Sequence, residues 1–173
     1  MAFKHPVRKI FLVALLAITG LSGCGIYSFS GASIPAEMKT VSVQFFENNA
    51  PLVVPYLSQQ FTEDLKSRIR NQSRLSIVRA DGDGNFEGRI TDYRITPAAI
   101  QGNERAGLER LSITVMVKYT SVLKPDLNFE QSFTRFKDFS TQTKSLQAQE
   151  QELIKDINTQ LTEDIFNKAF ANW

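Results

Sequence analysis

Between Leu108 and Leu123 the chain alternates strictly, with Leu111, Ile113, Val115, Val117 and Tyr119 set against Ser112, Thr114, Met116, Lys118 and Thr120. That two-residue period makes 108–123 the clearest strand of the chain, with one face in a core. A strand with one apolar face needs a second layer to cover it. Two stretches offer one. Leu57, Phe61, Leu65 and Ile69 follow Pro55 at four-residue spacing, while Gln60, Glu63, Asp64, Lys66, Arg68 and Arg70 fall mostly off that stripe. Pro55 suits a first helical turn because its missing N–H costs nothing there, and the helix should end near Asn71. From about Ser145 to Asn172, Leu146, Leu153, Ile154, Ile157, Leu161, Ile165, Ala169 and Phe170 recur every three or four residues, the pattern of a longer amphipathic helix.

The other segments read as strands. Val41, Val43 and Phe45 alternate with Thr40, Ser42, Gln44 and Phe46, and Leu75, Ile77 and Arg79 form a short second strand. With the first helix between them, these two favour a right-handed parallel crossover. Residues 86–96 carry Phe86, Gly88 and Ile90 on one face and then Tyr93 and Ile95 out of phase, so a bulge is expected near Thr91-Asp92. Lys124-Pro125-Asp126 is a turn. Phe129, Phe133, Phe136 and Phe139 then mark a last strand, 128–139, with another phase slip. The expected fold class is α+β, a two-layer sandwich with a mixed four- to five-stranded sheet and two helices packed on one face. The phenylalanines of 128–139 read as core, with a cofactor pocket against the last helix as the other reading; no cofactor is expected.

Asp81-Gly82-Asp83-Gly84-Asn85 resembles the first three ligand positions of a calcium loop. Such a loop needs glycine at its sixth place and a bidentate glutamate at its twelfth. Here those are Phe86 and Asp92, so a hairpin turn is expected and no metal site.

The front of the chain has the build of a secretory signal, with Lys4, Arg8 and Lys9 before an apolar run from Ile10 to Ile18. The run stops at Thr19-Gly20, short of the about 20 apolar residues a spanning helix needs. Leu21-Ser22-Gly23-Cys24 looks like a lipobox, the signal for attaching diacylglycerol to the cysteine thiol and cutting just before it. The expected organisation is a cleaved signal peptide over 1–23, a lipidated tether over 24–36 and a single domain over 37–173. Cleavage would turn 20 basic and 18 acidic residues into 17 and 18, leaving no global basic field, so nucleic acid is not expected as a partner. It would also remove His5, the only histidine, while acylation consumes the only thiol, Cys24. Histidine acid/base chemistry, Ser-His-Asp and Cys-His catalysis and Cys/His zinc sites all need those groups. Without an internal disulfide the fold must rest on its apolar core.

Taken in order, these features resemble the LptE family of lipopolysaccharide-assembly lipoproteins. The resemblance is carried by the lipobox and the Cys24-Gly25-Ile26-Tyr27 start, Ile34-Pro35 before the first strand, and the strand-helix-strand opening. Phe86-Glu87-Gly88-Arg89-Ile90-Thr91-Asp92-Tyr93 with Thr96-Pro97, Arg110-Leu111-Ser112-Ile113-Thr114-Val115, Phe129-Glu130-Gln131-Ser132-Phe133 and the closing helix add to it. It spans essentially the whole mature chain and implies a non-enzymatic protein on the periplasmic face of the outer membrane. Such a protein plugs the lumen of the LptD β-barrel, assists its assembly and binds lipopolysaccharide on its way to the surface.

If 86–96, 108–123 and 128–139 form an antiparallel meander, loops 97–107 and 139–144 share one edge of the sheet. Arg94, Arg105, Arg110, Lys137 and Lys144 lie near that edge, and cations grouped this way can hold phosphates by charge-assisted hydrogen bonds. They are expected to contact lipid A or core phosphates. Glu104 and Glu109 dilute that field, and ordinary solvated surface charge is the alternative. Loop 97–107, with Gly102 and Gly107, is also a candidate docking element for the barrel wall. The rival functions are a scaffold for another outer-membrane assembly or efflux complex and an anchored hydrolase using paired carboxylates.

Overall fold

The computed structural model describes residues 34–98, 108–142 and 144–171. The signal, Cys24 and Arg105, with most of loop 97–107, lie outside the described residues. Among the described residues six strands and two helices follow one another as β1 (Thr40–Val43), β2 (Glu47–Asn48), α1 (Leu57–Gln72), β3 (Ser76–Val78), β4 (Gly84–Pro97), β5 (Leu108–Ser121), β6 (Phe129–Ser140) and α2 (Leu146–Phe170). The sheet order is β3-β1-β4-β5-β6, with β2 alongside β4. β1 pairs in parallel with both β3 and β4, while β4, β5 and β6 form the antiparallel meander, so the sheet is mixed.

Both helices bury their stripes on the same face. Leu57, Phe61, Leu65 and Ile69 of α1 are wholly inaccessible, as are Ile154, Ile157, Leu161 and Ile165 of α2. Under them lie Phe86 and Ile90 of β4 and the alternating row Leu111 to Tyr119 of β5. Phe86 and Tyr119 pack at 4.7 Å between ring centroids, and Phe170 of α2 meets each edge-on at 5.8 and 5.7 Å. Phe129 and Phe133 extend this cluster outward, so Phe133 and Phe139 of the last strand are core and Phe129 packs against it. The α+β two-layer architecture is as expected, and the bulge sits where the phase changes, between Ile90 and Asp92.

Three local expectations are corrected. The first strand ends at Val43, and of the two adjacent phenylalanines Phe46 is buried while Phe45 is 58% exposed. The chain steps from β1 onto the next stretch of β4, where β2 pairs with Arg89 and Ile90, and this turns Phe46 inward against Phe61 at 5.1 Å. Gly88 makes room for that ring; a Cβ there would sit 2.5 Å from it and 2.1 Å from the Met116 carbonyl oxygen.

Residues 81–85 do not form a hairpin, because β3 and β4 flank β1 on opposite sides. The segment instead crosses the start of β1, so close that a Cβ on Gly82 would lie 2.6 Å from the Ser42 nitrogen. Asp81 there adopts a left-handed φ of 53°. The Asp83 carboxylate accepts the N–H groups of Lys39 and Thr40 at 2.9 and 2.8 Å and the Thr40 hydroxyl at 2.9 Å. Those bonds hold its carboxyl below the ordinary carboxylate range.

Finally, β6 has no phase slip. Its register with β5 is continuous from Tyr119↔Phe129 to Leu108↔Ser140, so Phe129, Phe133 and Phe139 face the helices and Phe136 faces away, 47% exposed. On the inner side β6 also carries Arg135 and Lys137, which meet Asp164 and Asp156 of α2 at 2.5 and 2.9 Å. Inward charges of this kind protect an edge strand from pairing with another chain.

Candidate binding and docking surfaces

Among the described residues no helix covers the other face of β4, β5 and β6, and its side chains follow from parity alone. Past the bulge, Asp92 and Arg94 of β4 point to this outer face, opposite Thr114 and Ser112. Arg94 Nη2 lies 3.0 Å from Asp92 Oδ2 and is largely exposed. Arg110 pairs with Asp138 directly across the β5–β6 rung, donating Nε and Nη2 to the two carboxylate oxygens at 2.7 and 2.9 Å. Its guanidinium also stacks over the Phe136 ring, 3.7 Å from the centroid. A two-pronged hydrogen bond of this type favours both charged forms. Accordingly Arg110 is pushed up from its usual value by Asp138, and Asp138 is held below its own by Arg110.

Arg94 is opposite Ser112 and Arg110 is opposite Thr96, so the two arginines are diagonal neighbours on one face. They lie toward the end of the sheet where β4 leads into 99–107 and β6 ends. The expected edge is therefore real, since the Ala98 N–H reaches the Leu108 carbonyl at 3.0 Å and Ser140 pairs with Leu108. Lys137 does not join them. It lies on the helix side of β6, its ammonium 2.9 Å from Asp156. Lys144 is exposed between β6 and α2 at the same end and makes no ion pair among the described residues. What the sequence did not suggest is Phe136 as a platform under Arg110, or Asp138 as its counter-ion.

A second polar construction locks the layers together. Tyr56 ahead of α1 and Tyr93 of β4 both donate to the Glu150 carboxylate of α2, at 3.0 and 2.7 Å. Burial and the neighbouring carboxylate push the Tyr56 hydroxyl up to about 12, and the Tyr93 hydroxyl is raised for the same reasons. Between the helices an open polar groove is lined by Asp64, Arg68, Asn71, Gln72, Thr159 and Thr162. Asn158 Nδ2 donates to Asp64 at 3.1 Å, and Arg68 donates to Thr162 Oγ1 and the Thr159 carbonyl at 3.1 and 2.8 Å. Partial burial outweighs these partners and raises the Asp64 pKa.

Two groups of large apolar side chains are exposed. Phe45, Leu52 and Val53 flank β2, and Val122 and Leu123 form the tip between β5 and β6. Among the described residues no helix is long and apolar enough to cross a membrane.

Solved structures share this fold. A minor lipoprotein from Acinetobacter baumannii is 14% identical with a TM-score of 0.50, over 76% of this chain and 91% of that one. A hypothetical protein from Chlamydia trachomatis is 8% identical with a TM-score of 0.53, over 78% and 99%. A protein from Xanthomonas campestris is 10% identical with a TM-score of 0.51, over 79% and 91%. No curated protein matches in sequence. At such identities these likenesses establish the α+β fold, and the assignment of family comes from the sequence pattern itself. The pattern of the LptE, lipopolysaccharide-assembly family matches from Met38, where the chain reaches β1, to Ala169 at the end of α2, and the protein belongs to that family.

Proposed function

We propose that this protein is a lipoprotein of the outer membrane, acylated on Cys24 and held on the periplasmic face, that plugs and helps assemble the LptD β-barrel and binds lipopolysaccharide in transit. The observation that carries the reading is the family match across the whole sheet-and-helix domain. The pair of arginines on the open sheet face supports it. Arg94 is exposed and Arg110 half-buried at the end from which 99–107 departs, where Arg105 and Lys144 add charge in sequence. Phosphate oxygens would compete with Asp92 and Asp138 for guanidinium groups that water already reaches, an exchange of similar bonds at modest cost. The protein works by docking and charge complementarity, with no chemical step of its own.

Depletion of the protein tests the reading: surface lipopolysaccharide and correctly folded barrel should both fall. Co-purification of a different outer-membrane assembly in place of the barrel would overturn it. For the ligand, Arg94→Ala combined with Arg110→Ala should weaken lipopolysaccharide binding and flatten its salt dependence. Lys137→Ala should act less, since its ammonium is engaged by Asp156. Unchanged affinity and salt dependence in the double variant would remove these arginines from the site.

A further inference from the structure

We infer that the β5–β6 tip, Val122-Leu123, rests on the lipid surface that holds the tether. This extends the acylated-anchor reading above and depends on it. Val122 is 73% exposed and Leu123 43% exposed, at a turn where polar and small residues are usual. Their position relative to the start of the domain is fixed by one residue. Asp83 takes the N–H groups of Lys39 and Thr40 on its carboxylate, and its carbonyl accepts the Val122 N–H at 3.0 Å. Met38 beside them packs its sulfur 3.9 Å from the Tyr119 hydroxyl. The domain therefore begins at the same end of the sheet as the apolar tip.

Nine residues lie between Cys24 and Ile34, and the ten Cα steps span at most about 35 Å even when fully extended. An anchor at Cys24 thus keeps this end within reach of the bilayer. The other exposed apolar group, around β2, lies further along β4, from Gln44 bonded at the Phe86 carbonyl to Asn49 bonded at the Ile90 carbonyl, roughly 7–20 Å from Gly84 by strand rise. Charge does not choose the lipid: Lys39, Arg74 and Lys124 are balanced at this end by Glu37, Asp83 and Asp126. The contact is one of apolar side chains with the boundary between headgroups and acyl chains.

The test uses the acylated full chain in phosphatidylcholine vesicles containing nitroxide-labelled lipid. Because acylation consumes Cys24, Leu123→Cys provides a single thiol for an environment-sensitive fluorophore, and Thr141→Cys, exposed at the far end of β6, provides the control. The label at 123 should lose several-fold more emission to the nitroxide lipid than the label at 141, and high salt should not change this. Equal quenching at the two positions, or shielding at 123 that arises only when barrel protein is added, would overturn the inference. Mass spectrometry of the vesicle-bound protein reports the anchor separately. A bare Cys24 overturns both readings; an acylated Cys24 with equal quenching overturns this one alone.

Discussion

The two faces of β4, β5 and β6 are built from the same three strands and do opposite things. On the inner face Phe86, Ile113 and Tyr119 are closed off by the helices, and even the cations there are structural, since Arg135 and Lys137 meet acids of α2. On the outer face Arg94, Arg110 and Lys118 make their ion pairs within the sheet, with Asp92, Asp138 and Glu87, where water competes for every bond. Parity in a strand thus decides whether a basic residue ties the sheet to α2 or pairs within the open face, and water reaches both kinds. Grouping cations by nearness to a sheet edge does not distinguish those two fates.

Truncation is the harshest way to break this contrast. Phe86→Ala should lower stability by about 3–5 kcal/mol, because it empties a site wholly enclosed by Tyr119, Phe170 and their neighbours. Thr114→Ala, on the neighbouring strand but facing outward, should stay within about 0.5 kcal/mol of the parent. Denaturant titration of both variants measures the difference, and comparable losses would mean that the outer face is covered as well. Gly88→Ala comes next, at about 1–3 kcal/mol, because an added methyl must displace the Phe46 ring and the Met116 carbonyl together. Combining it with Phe46→Leu should recover part of that loss, which identifies the ring as the obstacle.

Periodicity made much of this legible. The stripes of α1 and α2, the alternation of β5 and the bulge before Asp92 all report burial directly, and burial is what fixed them. Phe136 was opaque because a phenylalanine out of phase reads as a bulge when it is in fact a residue facing the other way. Alternation with Val41 and Val43 picked Phe45 for the core, yet Phe46 is the buried one, because the strand ends at Val43 and β2 takes its place beside β4. For the site, the meander brought Arg94, Arg110 and Lys144 to one end as the strand pattern implied, but nothing in sequence put Lys137 against Asp156. The clasp on Glu150 was out of reach entirely, its tyrosines lying 94 and 57 positions away.

That clasp sets the third test. Tyr93 is 2% exposed and its hydroxyl has one partner, so Tyr93→Phe should cost about 1–2 kcal/mol by leaving part of the Glu150 carboxylate without its donor. Tyr56→Phe, nearer to solvent, should cost less. The two together should exceed the sum, since either hydroxyl alone still serves the carboxylate and only the double change strips it of both donors. A fully additive pair would mean that the two bonds are independent.

The smallest effects sharpen the comparison by sign. Asp138 on the open face is held below the ordinary carboxylate value of 3.8 by Arg110, so its contribution is present above that pH and is lost as the pH falls through its folded-state pKa. Asp64 between the helices is raised above 3.8 by burial, so its ionised form costs stability at neutral pH, and the cost disappears as acid protonates it. Asp138→Asn should therefore be less stable than the parent at neutral pH, with the gap closing only below the ordinary carboxylate range. Asp64→Asn retains an oxygen to accept from Asn158. It should be more stable than the parent at neutral pH, with its advantage fading as the pH approaches 3.8 from above. Unfolding midpoints for the two variants across an acid series would show opposite displacements from the parent. Displacements of the same sign would mean that Asp64 is held as an ion by Arg68 and Lys155, and that the seam between the helices is as wet as the open face of the sheet.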